Sequence, residues 1–142
     1  MTETYDGEVG IGDGWWLQLP EPFAAGYDED GDLVLERPTM VIFLETITYD
    51  PESTDVPPDQ LVRDVADDTV ATTPASYAAA LQGEGWTGHL LSEVVDEARG
   101  EKQLLGCLGA PGTVLNLTVR FLDAELETQA RAIIAATRFQ QD

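Results

Sequence analysis

The stretch Thr113–Phe121, TVLNLTVRF, constrains the fold more tightly than any other. Successive side chains of a strand alternate, so Leu115, Leu117, Val119 and Phe121 share one face and Val114, Asn116, Thr118 and Arg120 share the other. A strand with one apolar face must bury it against a second layer. The chain supplies neighbours on its N-terminal side. HLLSEVVDE turns at Arg99-Gly100 into KQLLGCLG, which turns at Pro111-Gly112 into TVLNLTVRF, giving a three-strand meander. MVIFLETITY, Met40 to Tyr49, is apolar on both faces at its start, as a covered central strand is.

The remaining segments add one early hairpin and three helices. In WWLQLP, Trp15, Leu17 and Leu19 alternate against Trp16 and Gln18, and Pro20 and Pro22 close the strand because proline cannot donate to a ladder. Asp30-Gly31 suits a tight turn leading into DLVLE. DPESTDVPPD is a loop by composition. Pro58 then opens a helix whose stripe is Leu61, Val62, Val65, Ala66, Thr69 and Val70, with Arg63, Asp64, Asp67 and Asp68 off it. Thr73 before Pro74 predicts a second helix over PASYAAALQ, broken by GEGWTG. Asp123 caps a final helix with the stripe Leu126, Ala130, Ile133, Ile134 and Thr137. Residues 1–12, polar and glycine-rich, read as a loosely ordered start to a single domain spanning 1–142. The expectation is an α+β domain: an antiparallel sheet of about five to six strands with helices packed on it, the C-terminal helix closing the domain.

This order of elements resembles the PsbP-like and DcrB-like α+β domains. The resemblance rests on the early WWLQLP strand, the central MVIFLETITY strand, the meander and the closing LETQARAIIAATRF helix, across roughly residues 14 to 139. It brings no diagnostic motif and no catalytic residue. It implies a binding or chaperone module of the kind that includes small cytoplasmic proteins accompanying bacterial effector toxins.

Charge narrows the partners. Twenty-seven acidic residues stand against seven basic ones, for a formal net charge of −20. Spread evenly this is one net charge per about 360 Å² of surface, a spacing beyond the Debye length of about 8 Å. Local clusters must therefore carry any functional field. Nucleic acid would be repelled, whereas a basic protein would be attracted and its association speeded. Salt adaptation and solubility are the competing explanations of such acidity. The start MTETYDGEVG lacks the basic and apolar segments of a signal peptide, no run is long enough to span a membrane, and the lone cysteine fits a reducing compartment. The expected location is the cytoplasm.

Catalytic and metal-binding constellations are scarce. Cys107 and His89 are the only residues of their kinds. A turn centred on Arg99-Gly100 places Cys107 opposite Ser92 and His89 opposite Ala110, which separates them. Two such ligands do not make a tetrahedral zinc site. Asp28, Asp30 and Asp32 alternate as calcium ligands do, but the sixth and twelfth loop positions hold Leu33 and Thr39 rather than glycine and glutamate. No cofactor, metal or catalytic residue is assigned. Acids beside aromatics remain, since aromatics anchor interfaces and charged rims steer them. The candidate contact residues are Trp16, Tyr27, Asp28, Asp30, Asp32, Tyr49, Asp64, Asp67, Asp68 and Trp86. They point to a domain that neutralises or escorts a basic partner, such as a toxin immunity protein or effector chaperone. The alternatives are a small-molecule or lipid-binding domain and an enzyme of unrecognised class.

Overall fold

The computed structural model describes residues 3–12, 14–50 and 57–140. The strands are β1 (Glu3–Gly12), β2 (Trp15–Tyr27), β3 (Leu33–Arg37), β4 (Met40–Thr48), β5 (Ser76–Gly83), β6 (Trp86–Asp96), β7 (Glu101–Ala110), β8 (Thr113–Phe121) and β9 (Arg138–Phe139). The helices are α1 (Pro58–Thr72) and α2 (Glu127–Ala135), the latter entered through one 3₁₀ turn. Among the described residues all nine strands join one sheet in the order β1-β2-β3-β4-β8-β7-β6-β5, with β9 paired to β2. The expectation of five to six strands under packed helices is corrected: the sheet dominates and the two helices are short.

Three segments account for most of the difference. First, Glu3–Gly12 is not a loose start but a strand paired along β2 from Glu3↔Ala25 to Gly12↔Trp15. Second, β2 does not stop at Pro20 and Pro22. The ladder with β1 jumps from Leu19↔Gly7 to Phe23↔Tyr5, so both prolines fall in a bulge where no ladder donor is required. Third, PASYAAALQ is no helix. Thr73 ends α1 by donating its backbone N–H to the Thr69 carbonyl, and the alanine run pairs with β6 as β5. A helix of that length is marginal on propensity alone, so pairing across the Glu84-Gly85 turn decides its form. The loop expected over 50–59 lies mostly outside the described residues.

The meander is present, and β4 is central in the sheet but covered on one face only, since Val41 and Phe43 stay half-exposed. β4 and β8 pair in unbroken register from Met40↔Phe121 to Thr48↔Thr113. The inner face carries Trp15, Leu17, Phe23, Ile42, Leu104, Leu108, Leu115, Leu117 and Phe121, all buried, and α2 packs Ala130, Ile133 and Ile134 onto them. α2 touches β2, β5, β7 and β8, strands from both halves of the sheet, so the sheet curls around it. Gly106 permits the close approach: a Cβ there would lie 2.9 Å from Ile134 Cγ2. β9 draws the two ends together, pairing Phe139 with Trp15 while the Phe139 N–H donates to the Glu84 carbonyl.

The outer face is covered in part. α1 lies over β6 and β7, burying Val62 and Ala66 against Leu91, Cys107 and Val114. On this face no described helix lies over β3 and β4, where Val34, Val41 and Phe43 stay half-exposed. The adjacent tryptophans divide between these faces. Trp15 is fully buried; its indole N–H donates to Thr113 Oγ1 at 3.0 Å and its ring meets Phe139 edge-on. Trp16 points outward against Gly10, with the Arg138 guanidinium 5.7 Å from its ring centre and Glu8 holding Arg138.

Candidate functional site

The one arrangement that looks catalytic does not behave so. The β6–β7 turn spans Glu97–Gly100, with a register shift between Val94 and Asp96, and Asp96 Oδ1 accepts from the Arg99 N–H. The turn therefore closes earlier than a pivot at Arg99-Gly100 implies, and His89 pairs directly with Cys107 rather than Ala110. The expected separation of the two is corrected, because a shift by an odd number of residues changes which side chains share a face. Nearness confers no reactivity here. Cys107 is buried beneath α1, and burial pushes its thiol up to about 11. The imidazole of His89 instead meets the ring of Tyr77 edge-on at 5.8 Å. A thiol held neutral is a poor nucleophile and a poor metal ligand.

Around that pair the outer side of α1 meets β5. Tyr77, 42% exposed, donates its hydroxyl to Asp67, and the Arg63 guanidinium sits 6.0 Å from its ring centre. The hydrogen bond to the Asp67 carboxylate, with desolvation, raises the Tyr77 pKa. Asp64 accepts from Gln60 Nε2 one helical turn away, and Asp68 is exposed. The three helix acids thus lie together on the solvent side of α1 as their spacing implies. Spacing does not single out Tyr77, because its segment reads as helix; the proline before it and the glycines after it are the available signal for a strand.

The second acidic site is the β2–β3 hairpin tip. Asp28 Oδ1 accepts the backbone N–H of Asp30 at 2.9 Å and of Asp32 at 3.0 Å, and Gly31 takes a φ of +84°. A short polar side chain that bonds its own turn fixes the tip. It brings carboxylate oxygens of Asp28, Asp30 and Asp32 within 4.8 Å of one another. Asp28 Oδ1 is thereby engaged in the turn, and a hard cation such as calcium requires about six to eight oxygen ligands. Tyr27 stands at the base of this tip, 73% exposed. Shallow clefts flank it, one lined by Ala24, Gly26, Tyr27, Val34 and Glu36, another by the three aspartates with Phe43, Glu45 and Asn116.

The other aromatic candidates are structural. Trp86 is buried and donates its indole N–H to the Thr137 carbonyl at 2.6 Å. Tyr49 is half-buried against the α1 cluster, its hydroxyl donating to the Ala110 carbonyl. Trp16 is covered by Gly10 and Arg138 of its own chain. Of the aromatic candidates, Tyr27 alone stands free beside acids.

The geometry thus defines a class: a curled antiparallel sheet closed over one helix, with an acidic and partly uncovered outer face. Solved structures share that fold. The chain is similar to a crystal structure from Bacteroides thetaiotaomicron, with a TM-score of 0.65 and 13% identity over 97% of this chain and 50% of that one. It is also similar to LpqN, described as involved in cell envelope biogenesis of Mycobacterium tuberculosis, with a TM-score of 0.50 and 14% identity over 99% of this chain and 85% of that one. The chain thus spans about half the length of the Bacteroides protein. Likeness at these identities shows the fold alone. No family model and no curated protein matches the chain. Among the described residues no helix is long and apolar enough to cross a membrane.

Proposed function

We propose that this chain is an acidic protein-binding domain that takes a basic partner, with the Tyr27–Asp32 hairpin tip as its docking site. One observation carries the reading: Tyr27, 73% exposed, stands beside three carboxylates converging within 4.8 Å on a self-bonded turn. Exposed aromatics anchor interfaces, and clustered charge of one sign steers an oppositely charged partner into register. The chain's charge of −20 works in the same direction at longer range. The most concrete form of the reading is a cytoplasmic immunity protein or effector chaperone that neutralises or escorts a basic toxin. A lipid or small-molecule pocket between sheet and helices has less support, because α2 fills the inner face.

The test is co-expression with the products of adjacent genes, followed by purification at low and high salt. A basic neighbour is expected to co-purify at about 50 mM salt and to dissociate toward about 500 mM, where exposed charges are screened. Replacing Asp28, Asp30 and Asp32 together by asparagine is expected to slow association, and Tyr27→Ala to speed release. Absence of a complex at either salt, with no protection of cell growth, refutes the reading.

A further inference from the structure

Sheets expose unpaired backbone at their edges, and proteins guard such edges with charge, bulges or covering elements. The two ends of this sheet are guarded unequally. β1 carries Asp6 and Glu8, its ladder shifts register twice, and Gly7 and Gly12 take φ of +69° and +104°. Such a strand is a poor template for a further one. β5 shifts register once, between Tyr77 and Ala79, but runs evenly from Ala79 to Gly83, and its sequence SYAAALQG holds no charged residue, although 24% of the chain is charged. Among the described residues it pairs with β6 alone, since the contact from β9 falls on Glu84, just past its end. Ser76 through Ala80 are all exposed.

Acids stand at both ends of this neutral edge. Asp67 accepts the Tyr77 hydroxyl near its start, and Glu84 follows Gly83 at its finish. We infer that β5 accepts an extended, basic segment of the partner protein as an added antiparallel strand. Backbone hydrogen bonds would supply the attachment, and lysine or arginine side chains flanking the neutral centre would meet Asp67 and Glu84. A second copy of this chain fits worse. Antiparallel pairing of β5 with itself sets Glu84 of each copy toward Asp67 of the other, between two molecules that each carry −20. The inference rests on the partner's being basic, as proposed above, and adds to the hairpin tip a second contact, at β5, together with the conformation bound there.

The probe is a capped ten-residue peptide alternating lysine and threonine, with a control N-methylated at alternate amides so that one edge cannot donate. Each is titrated into the isotope-labelled chain at low salt while amide shifts and hydrogen exchange are followed. Slowed exchange within Ser76–Gly83 is expected with the first peptide and not with the second. Ala80→Lys is expected to weaken binding about fivefold and Ala80→Glu to strengthen it about twofold, the size of one cross-strand charge pair. Binding that protects only Tyr27–Asp32 overturns the edge site and leaves the basic-partner reading standing. Failure of both peptides to bind overturns both. Protection of β5 without peptide, in a chain that sediments as a dimer, assigns the edge to a second copy and overturns the inference.

Discussion

Trp15 and Trp16 are neighbours in the chain and inhabit different environments. Trp15 lies in a face sealed by α2 and tied to Thr113 and Phe139. Trp16 lies on a face that, among the described residues, α1 covers over β6 and β7 and no helix covers over β3 and β4. Stability is concentrated on the first side, and surface left free for binding lies on the second. The same residue type thus serves packing in one case and lines a half-open surface in the other, by the parity of its position in β2.

The sharpest way to break that contrast is a pair of truncations. Trp15→Ala is expected to cost about 3–5 kcal/mol in chemical denaturation, as deletion of a buried aromatic does, while Trp16→Ala costs about 1–2 kcal/mol. Equal losses would mean that the two faces are equally sealed.

Cys107 measures how dry the α1-covered part of the outer face is. Its thiol, raised from 9.0 to about 11, is expected to alkylate about a hundredfold more slowly at pH 8 in the folded chain than in urea, from thiolate fraction alone. The accompanying stability is complete below pH 9 and declines as pH rises toward about 11, because the folded state holds the proton more tightly than the unfolded chain. Cys107→Ala is expected to lose less stability across that window. An alkylation rate equal to that in urea would show that α1 opens freely.

Gly106 probes the seat of α2. With Ile134 only 2.9 Å from a Cβ at that position, Gly106→Ala is expected to cost about 1–3 kcal/mol, visible in a thermal melt. A neutral result would show that α2 shifts easily on the sheet. The smallest effect belongs to the proposed anchor. Tyr27→Ala is expected to change stability by less than about 0.5 kcal/mol while weakening partner capture. A large destabilisation would return Tyr27 to the core and leave the hairpin tip without its anchor.

Alternation placed the β8 apolar face, the Trp15–Leu17–Leu19 face, the α1 stripe and the α2 stripe correctly, and all of them pack as read. It failed where local propensity and tertiary pairing disagree. The alanines of β5 favour a helix, and only the neighbouring β6 makes them a strand. The candidate site was legible in the same uneven way. The acidic turn at Asp28–Asp32 and the outer acids of α1 follow from spacing, whereas the bond from Trp86 to Thr137 and the stacking of Arg138 on Trp16 join residues more than 50 positions apart. Tyr77, near the start of β5, is placed against Asp67 only by the strand itself.

What the sequence determined alone were the period-two faces, the turns at Asp30-Gly31 and Pro111-Gly112 and the surplus of negative charge, since each depends on nearest neighbours or on composition. The tertiary structure decided the register that sets His89 opposite Cys107, the passage of β2 through its prolines, and the choice of β1 and β5 as edges. Those outcomes depend on which strand lies alongside which. A single bulged residue or an earlier turn shifts that pairing by more than any local pattern in the chain records.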